Sequence, residues 1–350
     1  MKNYIKTKIS TLLVLLVSLF IVTSCSNDDS GSGSGAPKID SVSLSVDADG
    51  NPTDLTPTTV GQANNMYVIQ GTGFATLQKI YFNDVDTAFN PTLVTDTAIF
   101  VTIDKDTPYE NASSKLRLVT NLGSTTFDFV VAPPAPRLTS FNPINGTEDE
   151  VITIYGEYFL DPIVKVGTVQ VPVITSSLSE IKIKIPADGL QKIISVTTIS
   201  GTSKANYAIG TAIYDDIAYN GFDFPDWNNH TYESDGKADQ GLVYIKKKMA
   251  AYDNLQGNWS RDDQLADYSG IRIAIRADNP GTLKLVFNGD WSERNLLEVT
   301  AEWTTFVIPW SELGNPTAVQ NFSFQNFSKN ASGDGVENTF YIDNIGYVLK

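Results

Sequence analysis

The chain has 350 residues, a formal net charge of −15 at pH 7 and a hydrophobic fraction of 41%, enough for two or three packed domains. The acidic balance disfavours nucleic acid as a partner, because a polyanion would be repelled and no basic stripe offsets the repulsion. The sequence has one cysteine, Cys25, so an intramolecular disulfide is excluded.

The N-terminal segment has the pattern of an export leader. Three lysines precede an apolar run at residues 12–22, which is too short for a stable membrane-spanning helix. The run ends in Val-Thr-Ser-Cys, which resembles the bacterial lipobox. This resemblance implies that residues 1–24 are a signal peptide and that Cys25 is lipidated as the mature N-terminus. An ordinary signal peptide with a chance cysteine is the alternative.

Residues 25–36 are rich in Gly and Ser, which predicts a flexible linker behind the lipid anchor. The sequence Asn-Asp-Asp directly after Ser26 is similar to the acidic export signal of surface lipoproteins in the Bacteroidetes. We therefore expect the protein at the cell outer membrane, lipid-anchored and facing outside.

The middle of the chain contains a repeat. The sequence APKIDSV at residues 36–42 recurs as APRLTSF 99 residues further on, and each copy then carries a Gly-x-x-Phe motif. Residues 181–185 alternate Ile with Lys, as in a strand with one wet face. Each copy is therefore expected to be a small β-sandwich.

These repeated motifs resemble the IPT/TIG family of immunoglobulin-like domains over residues 37–132 and 133–210. The resemblance implies structural roles for the Gly-x-x-Phe residues and no chemistry. Gly71 and Gly156 would permit a tight corner, and Phe74 and Phe159 would fill the core. The two domains would act as spacers.

Residues 211–350 show short alternating or apolar strand patterns without a helical period, which favours a β-sandwich or jelly roll. Their order resembles carbohydrate-binding modules with a galactose-binding-like jelly-roll fold. The similarity rests on Tyr214-Asp-Asp, on residues 268–275 and 302–313, and on FYIDNI at residues 340–345. With the lipobox and the repeats, the chain resembles surface glycan-binding lipoproteins of Bacteroidetes polysaccharide-utilisation loci.

All five tryptophans lie in this last segment. Trp227, Trp259 and Trp291 stand among Asn, Asp, Gly and Ser, which are turn residues, so a platform for stacking sugar rings is predicted on loops. The alternative is that each loop tryptophan caps an edge of the sandwich. Trp303 and Trp310 are expected in the core. The neighbouring polar residues that would bind sugar hydroxyls are Asn258, Arg261 and Asp290.

Modules of the family that the segment resembles often hold a structural Ca2+. The resemblance places Asp215, Asp216 and Asp343 at the matching positions, and carboxylate oxygens suit this ion. Capping of turns and edges is the alternative role. Zinc is disfavoured, because the chain has one histidine and the single cysteine is expected to be lipidated.

The expected function is therefore non-catalytic binding of a polysaccharide, a neutral β-glucan first, with a lipid anchor in the outer membrane. An outer-membrane glycan transporter complex is the implied protein partner. Adhesion to another protein is the alternative, followed by an enzyme that acts on glycans. Acidic pairs carry no weight for hydrolysis among 40 acidic residues, and no nucleophile or phosphate-loop motif occurs.

Overall fold

The computed structural model describes residues 35–258 and 263–350. Within them the regular structure is β-strand apart from two short 3-10 helices, Pro91–Leu93 and Asp226–Asn228. No helix in this described part is long and apolar enough to cross a membrane. The chain divides between Pro134 and Ala135 into two compact units. The predicted all-β fold class is confirmed.

The first unit is a β-sandwich made of short strands. The strands are β1 (Lys38–Leu44), β2 (Val60–Gln62), β3 (Met66–Thr72), β4 (Leu77–Phe82), β5 (Val85–Thr87), β6 (Ala98–Thr102), β7 (Lys115–Thr120), β8 (Gly123–Asp128) and β9 (Val130–Ala132). One sheet has the order β1-β3-β6, the other β5-β4-β7-β8, and β2 pairs with β9 in parallel. Inward side chains such as Ile69, Phe82 and Leu118 form one buried core.

The second unit begins with a sandwich of the same kind. Its strands are β10 (Arg137–Asn142), β11 (Val151–Glu157), β12 (Ile163–Val166), β13 (Val169–Val171), β14 (Val173–Ser176), β15 (Glu180–Lys184), β16 (Ile193–Thr198) and β17 (Gly201–Ala208). The sheet orders are β10-β11-β15-β14 and β13-β12-β16-β17. The predicted alternation holds, because Ile181, Ile183 and Ile185 are all buried in the core.

The two copies of the repeat share a backbone irregularity that explains the Gly-x-x-Phe motif. The register between β1 and β3 shifts beside Gly71, and the register between β10 and β11 shifts at the same place beside Gly156. A Cβ on either glycine would collide with a carbonyl oxygen of the facing strand and with the ring of Phe74 or Phe159. Both glycines lie inside strands, so the expected tight corner is wrong, and close approach of backbone and ring is what requires glycine.

The second unit continues as a larger sandwich. Its strands are β18 (Ala212–Asp215), β19 (Ile217–Ala218), β20 (Thr231–Glu233), β21 (Tyr244–Met249), β22 (Asn254–Gln256), β23 (Asp263–Gln264), β24 (Tyr268–Ala277), β25 (Gly281–Phe287), β26 (Leu296–Val299), β27 (Thr304–Pro309), β28 (Ala318–Val319), β29 (Phe322–Asn326) and β30 (Asn338–Leu349).

Two sheets enclose the core of this larger sandwich. In the larger sheet, β30 pairs along one edge with β24, which pairs with β27, and along its other edge with β21 and β18. The smaller sheet has the order β22-β29-β25-β26. Ile271, Ile273 and Ile275 from the larger sheet pack with Leu285 and Phe324 from the smaller one. The side chains on the other face of the smaller sheet point away from this core.

The two tryptophans expected in the core differ. Trp310 is buried in it at 8% exposure. Trp303 is not, because it precedes β27 and packs edge-on against Tyr244 with 5.9 Å between ring centroids. The alternation along β27 was predicted correctly but with the wrong face inward. Val307, on the side of Trp303, is 60% exposed, whereas Ile308 is buried.

Candidate functional site

The outward face of the smaller sheet carries a row of four side chains, three of them polar. Leu255 and Phe324 point into the core, so their strand neighbours point outward. The register aligns one outward residue from each of the four strands, a row of about 14 Å at the usual spacing between strands. The row consists of Asn254, Gln325, Lys284 and Leu296.

Trp227 borders this face beside the edge strand β22. It lies in the helix Asp226–Asn228 and is 61% exposed. The next residue, Asn228, is buried and pairs with the free edge of β22. Its side-chain amide donates to the carbonyl oxygen of Gln256 at 3.0 Å, and its Oδ1 accepts from the backbone N–H of Gln256 at 2.8 Å. Trp227 then lines an open cleft with Lys247, Lys248, Asp253, Asn254 and Gln256.

Trp291 borders the same face from the hairpin between β25 and β26. It is 44% exposed, and its carbonyl oxygen accepts a hydrogen bond from Nζ of Lys284 at 3.0 Å. Asn288 and Gly289 have φ values of +48° and +77°, which residues of these two types adopt most easily. Since Lys284 belongs to the outward row, the hairpin loop lies against the outward face.

The other predicted ligand-binding residues are Trp259, Arg261, Asn258 and Asp290. Trp259 and Arg261 lie outside the described residues. The side chain of Asn258 forms a hydrogen bond inside the protein, because its Nδ2 donates to the carbonyl oxygen of Gly221 at 2.9 Å. The carboxylate of Asp290 accepts from the backbone N–H of Ser292 at 3.0 Å and shapes the hairpin, while the residue itself stays exposed.

The structure adds residues that sequence reasoning missed. Asn254, Gln256 and Gln325 present amide groups between the two tryptophan loops. The signal was present, since Asn-Leu-Gln at 254–256 and Phe-Ser-Phe-Gln at 322–325 alternate polar and apolar residues. Segments of three to five residues are too short to identify a strand by alternation alone.

Asp215 and Asp216, predicted as calcium ligands, join the larger sandwich to the domain before it. Oδ2 of Asp215 accepts from the backbone N–H of Ile144 at 2.9 Å. Oδ2 of Asp216 accepts from the amide of Asn142 at 3.0 Å. Gln240 completes this arrangement, which we call the domain joint. Its backbone N–H donates to Asp343, its side-chain amide donates to the carbonyl oxygen of Phe141, and its Oε1 accepts from the hydroxyl of Tyr207.

Burial shifts the titration of two of these carboxylates. It raises the pKa of Asp215 to about 6 and the pKa of Asp343 to about 8, because surroundings of low polarity disfavour the charged form. Backbone N–H donors oppose the shifts, from Ile144 at Asp215 and from Gln240 and Asn344 at Asp343. The joint therefore holds acidic groups that resist ionisation.

The donor set at the joint does not fit a shared calcium ion. Ca2+ requires six to eight oxygen ligands. Oδ1 of Asp343 accepts from the N–H of Asn344 at 2.7 Å, and its Oδ2 accepts from the N–H groups of Asp239 and Gln240 at 2.9 and 3.0 Å. Across residues 35–258 and 263–350, no group of three or more acidic, His or Cys side chains is placed to hold a metal. These carboxylates are therefore already used as hydrogen-bond acceptors, and chelation tests whether the domain binds Ca2+.

Two family models match the second unit. Residues 136–211 match the IPT/TIG domain, and residues 213–350 match the expansin-like protein C-terminal domain. An IPT/TIG domain-containing protein from Bacteroides ovatus is 28% identical over 166 residues, which are 45% of this chain and 32% of that protein. The chain thus spans about a third of the length of this curated relative.

Solved structures with a similar fold cover nearly the whole chain. The surface glycan-binding protein PbSGBP-B from Prevotella bryantii aligns with a TM-score of 0.50 at 17% identity, over 91% of this chain and 99% of that one. SGBP-B from a complex xyloglucan utilization locus in Bacteroides uniformis aligns with a TM-score of 0.37 at 16% identity, over 90% and 99%. At the level of fold, the chain is similar to PbSGBP-B over nearly its whole length, and its second unit consists of an IPT/TIG domain followed by a larger β-sandwich.

Proposed function

We propose that this protein binds a polysaccharide, without cleaving it, on the outward face of the sheet β22-β29-β25-β26. The observation that supports this is the placement of Trp227 and Trp291. Both are exposed by more than two fifths, and both border one face that also carries the amides of Asn254 and Gln325. Indole rings held out in water at a polar surface are available to pack on a ligand that presents an apolar face.

The chemistry of this face suits a sugar chain. A pyranose ring has C–H groups on one face, which pack on an indole ring, and hydroxyl groups at its rim, which pair with amides. Asn254 and Gln256 supply both donors and acceptors. Gln325, whose Nε2 already donates to the carbonyl oxygen of Tyr252 at 2.9 Å, supplies its Oε1 as an acceptor. The cleft beside Trp227 is open, so a long polymer can cross the face without needing a free chain end.

The proposed ligand is a neutral β-glucan. The chain carries a formal net charge of −15, so an acidic polymer would meet long-range repulsion. A neutral glucan meets none, and stacking does not depend on charge. The net charge therefore favours uncharged sugars over uronates or sulfated chains.

We further propose that the protein acts at the cell surface. Cys25 would be lipidated in the outer membrane, the two immunoglobulin-like domains would serve as spacers, and an outer-membrane glycan transporter would be the neighbour that takes up the glycan. Cys25 and the linker before Gly35 lie outside the described residues, so this part depends on the sequence pattern. Cys25→Ala should release the protein from the membrane fraction, and retention there would contradict the proposed anchor.

Calorimetric titration of the mature chain tests the binding proposal. We expect heat of binding with soluble mixed-linkage β-glucan or xyloglucan and none with a polyuronate. Reducing ends should not increase during prolonged incubation with either glucan. New reducing ends would identify an enzyme. Absence of binding across a panel of neutral polysaccharides would contradict the proposed function.

A further inference from the structure

Each of the two described tryptophan loops receives the ammonium group of a buried lysine. The side chain of Lys247 in β21 is 7% exposed, and Lys284 in β25 is 2% exposed. Lysine is almost never buried this deeply unless its ammonium group is paired. What each ammonium is paired with therefore indicates what the lysine does.

Lys284 is paired with the residue at the tip of its own hairpin. Its Nζ donates to the carbonyl oxygen of Trp291 at 3.0 Å. The same Nζ lies 5.6 Å from the centroid of the Trp291 ring and 4.5 Å from that of Phe327. The lysine thus connects the middle strand of the face to the tryptophan loop above it, with the charge held against two aromatic faces.

Lys247 does the same for the other loop. Its Nζ donates to the carbonyl oxygen of Asn228, the residue after Trp227, at 2.5 Å. The carboxylate of Asp253 lies 3.5 Å from this Nζ and balances the charge. Since the side chain of Asn228 is already paired with β22, its peptide is fixed by two strands. The backbone that carries Trp227 is therefore anchored on both sides.

We propose that Lys247 and Lys284 are positioning residues for glycan binding, each holding the backbone beside one tryptophan so that its ring stays in place for a sugar. This inference rests on the proposed function of the face. Neither ammonium needs to contact the ligand. A loop that is ordered before binding loses less conformational freedom when the glycan arrives, and this raises affinity.

Double-mutant cycles on the mature chain test the proposal with mixed-linkage β-glucan as the probe. Lys284→Met keeps the length of the side chain and removes the ammonium. We expect it to weaken binding by about three- to tenfold, the cost of ordering one large side chain on binding. In a Trp291→Ala background the same change should have almost no further effect, because the ring that it positions is gone.

The crossed pair provides the matched control. Lys284→Met combined with Trp227→Ala should show additive losses, since Lys284 does not hold that loop. For Lys247→Met the pattern should be reversed. Its loss of affinity should almost vanish in a Trp227→Ala background and should add to that of Trp291→Ala. Lys246→Met, at the next position on the opposite face of β21, should bind like the wild type. Thermal melts identify any variant that fails to fold, and Lys284→Gln, which keeps an N–H donor, then replaces it.

Equal losses from Lys284→Met with and without Trp291 would overturn the inference, because the lysine would then act by another route. Wild-type affinity in both lysine variants would overturn it as well. A different result would contradict the proposed function itself. In that case the wild type binds no glucan, or Trp227→Ala and Trp291→Ala leave its affinity unchanged.

Discussion

Two regions of the larger sandwich, the outward face of the smaller sheet and the domain joint, were both predicted to bind a ligand. At the face, Trp227 and Trp291 keep their rings exposed. At the joint, Asp215 and Asp216 accept hydrogen bonds from the preceding domain. Residue type alone points to a ligand in both regions. What separates them is that the tryptophan rings remain exposed, whereas the aspartate carboxylates already accept hydrogen bonds inside the protein.

The comparison yields a simple rule about what substitutions should do. Changes at the face should lower affinity and leave the free energy of unfolding almost unchanged. Changes at the joint should lower the free energy of unfolding and leave affinity unchanged. The two kinds of measurement can therefore show whether the regions differ as described.

The largest effect is expected for the double substitution Trp227→Ala/Trp291→Ala. If one stacked sugar ring is worth about as much as a stacked base, each change weakens binding roughly tenfold, and both together about a hundredfold. Titration calorimetry measures the loss. Trp303→Ala, on the other sheet, is the matched control and should keep wild-type affinity. If Trp303→Ala alone abolished binding, the ligand would bind at the larger sheet, and the proposed site on the smaller sheet would be wrong.

At the joint, Asp216→Ala should lower the free energy of unfolding by roughly 1–3 kcal/mol, because it removes the acceptor of several hydrogen bonds. The backbone N–H groups of Leu242 and Val243 and the amide of Asn142 would lose their partner. Urea unfolding measures the change. Glu148→Ala, an exposed acidic residue in the preceding domain, is the control. Weaker glycan binding by Asp216→Ala at full folding would remove the distinction between the two regions.

The joint should also make stability depend on pH. The ordinary pKa of an aspartate is 3.8, and burial raises that of Asp215 to about 6 and that of Asp343 to about 8. Folding therefore takes up protons, so this stabilisation is full below about pH 4 and is lost as the pH rises towards 8. Asp215→Asn, which keeps the acceptor for Ile144, should flatten the fall between about pH 4 and 6. Melting temperatures are measured for the wild type and for Asp215→Asn across this pH range. If both fall equally steeply with pH, Asp215 is not buried as described.

The smallest effect is expected from chelation. The oxygen atoms of Asp343 are occupied by N–H donors, so removing Ca2+ should leave the melting temperature unchanged. Melts with EDTA and with added Ca2+ make the comparison. A drop of several degrees in EDTA would show that an ion bound to the native state stabilises the domain and would support the calcium prediction.

Much of the fold could be predicted because its signals are local and repeated. The recurrence of Gly-x-x-Phe led to two similar sandwiches, and the alternation of Ile181, Ile183 and Ile185 identified a half-buried strand. Trp303 shows the limit. Alternation groups residues by face, but it does not say which face is inward, and that depends on the packing of a second sheet.

The site was harder to predict because it is assembled from distant parts of the chain. Trp227 and Trp291 were recognised by their polar surroundings, whereas the amides between them come from strands that pair only in the folded sheet. The hydrogen-bond partners of the aspartates could not be predicted for the same reason. Their partners, Asn142 and Ile144, lie about 70 residues earlier, and no local sequence pattern predicts such contacts.

The most direct test of the central claim is a crystal structure of the mature chain with a neutral β-gluco-oligosaccharide. The account predicts sugar rings packed on Trp227 and Trp291, with hydroxyl groups paired to the amides of Asn254 and Gln325. An oligosaccharide bound instead beside Trp303, or on either immunoglobulin-like domain, would contradict it.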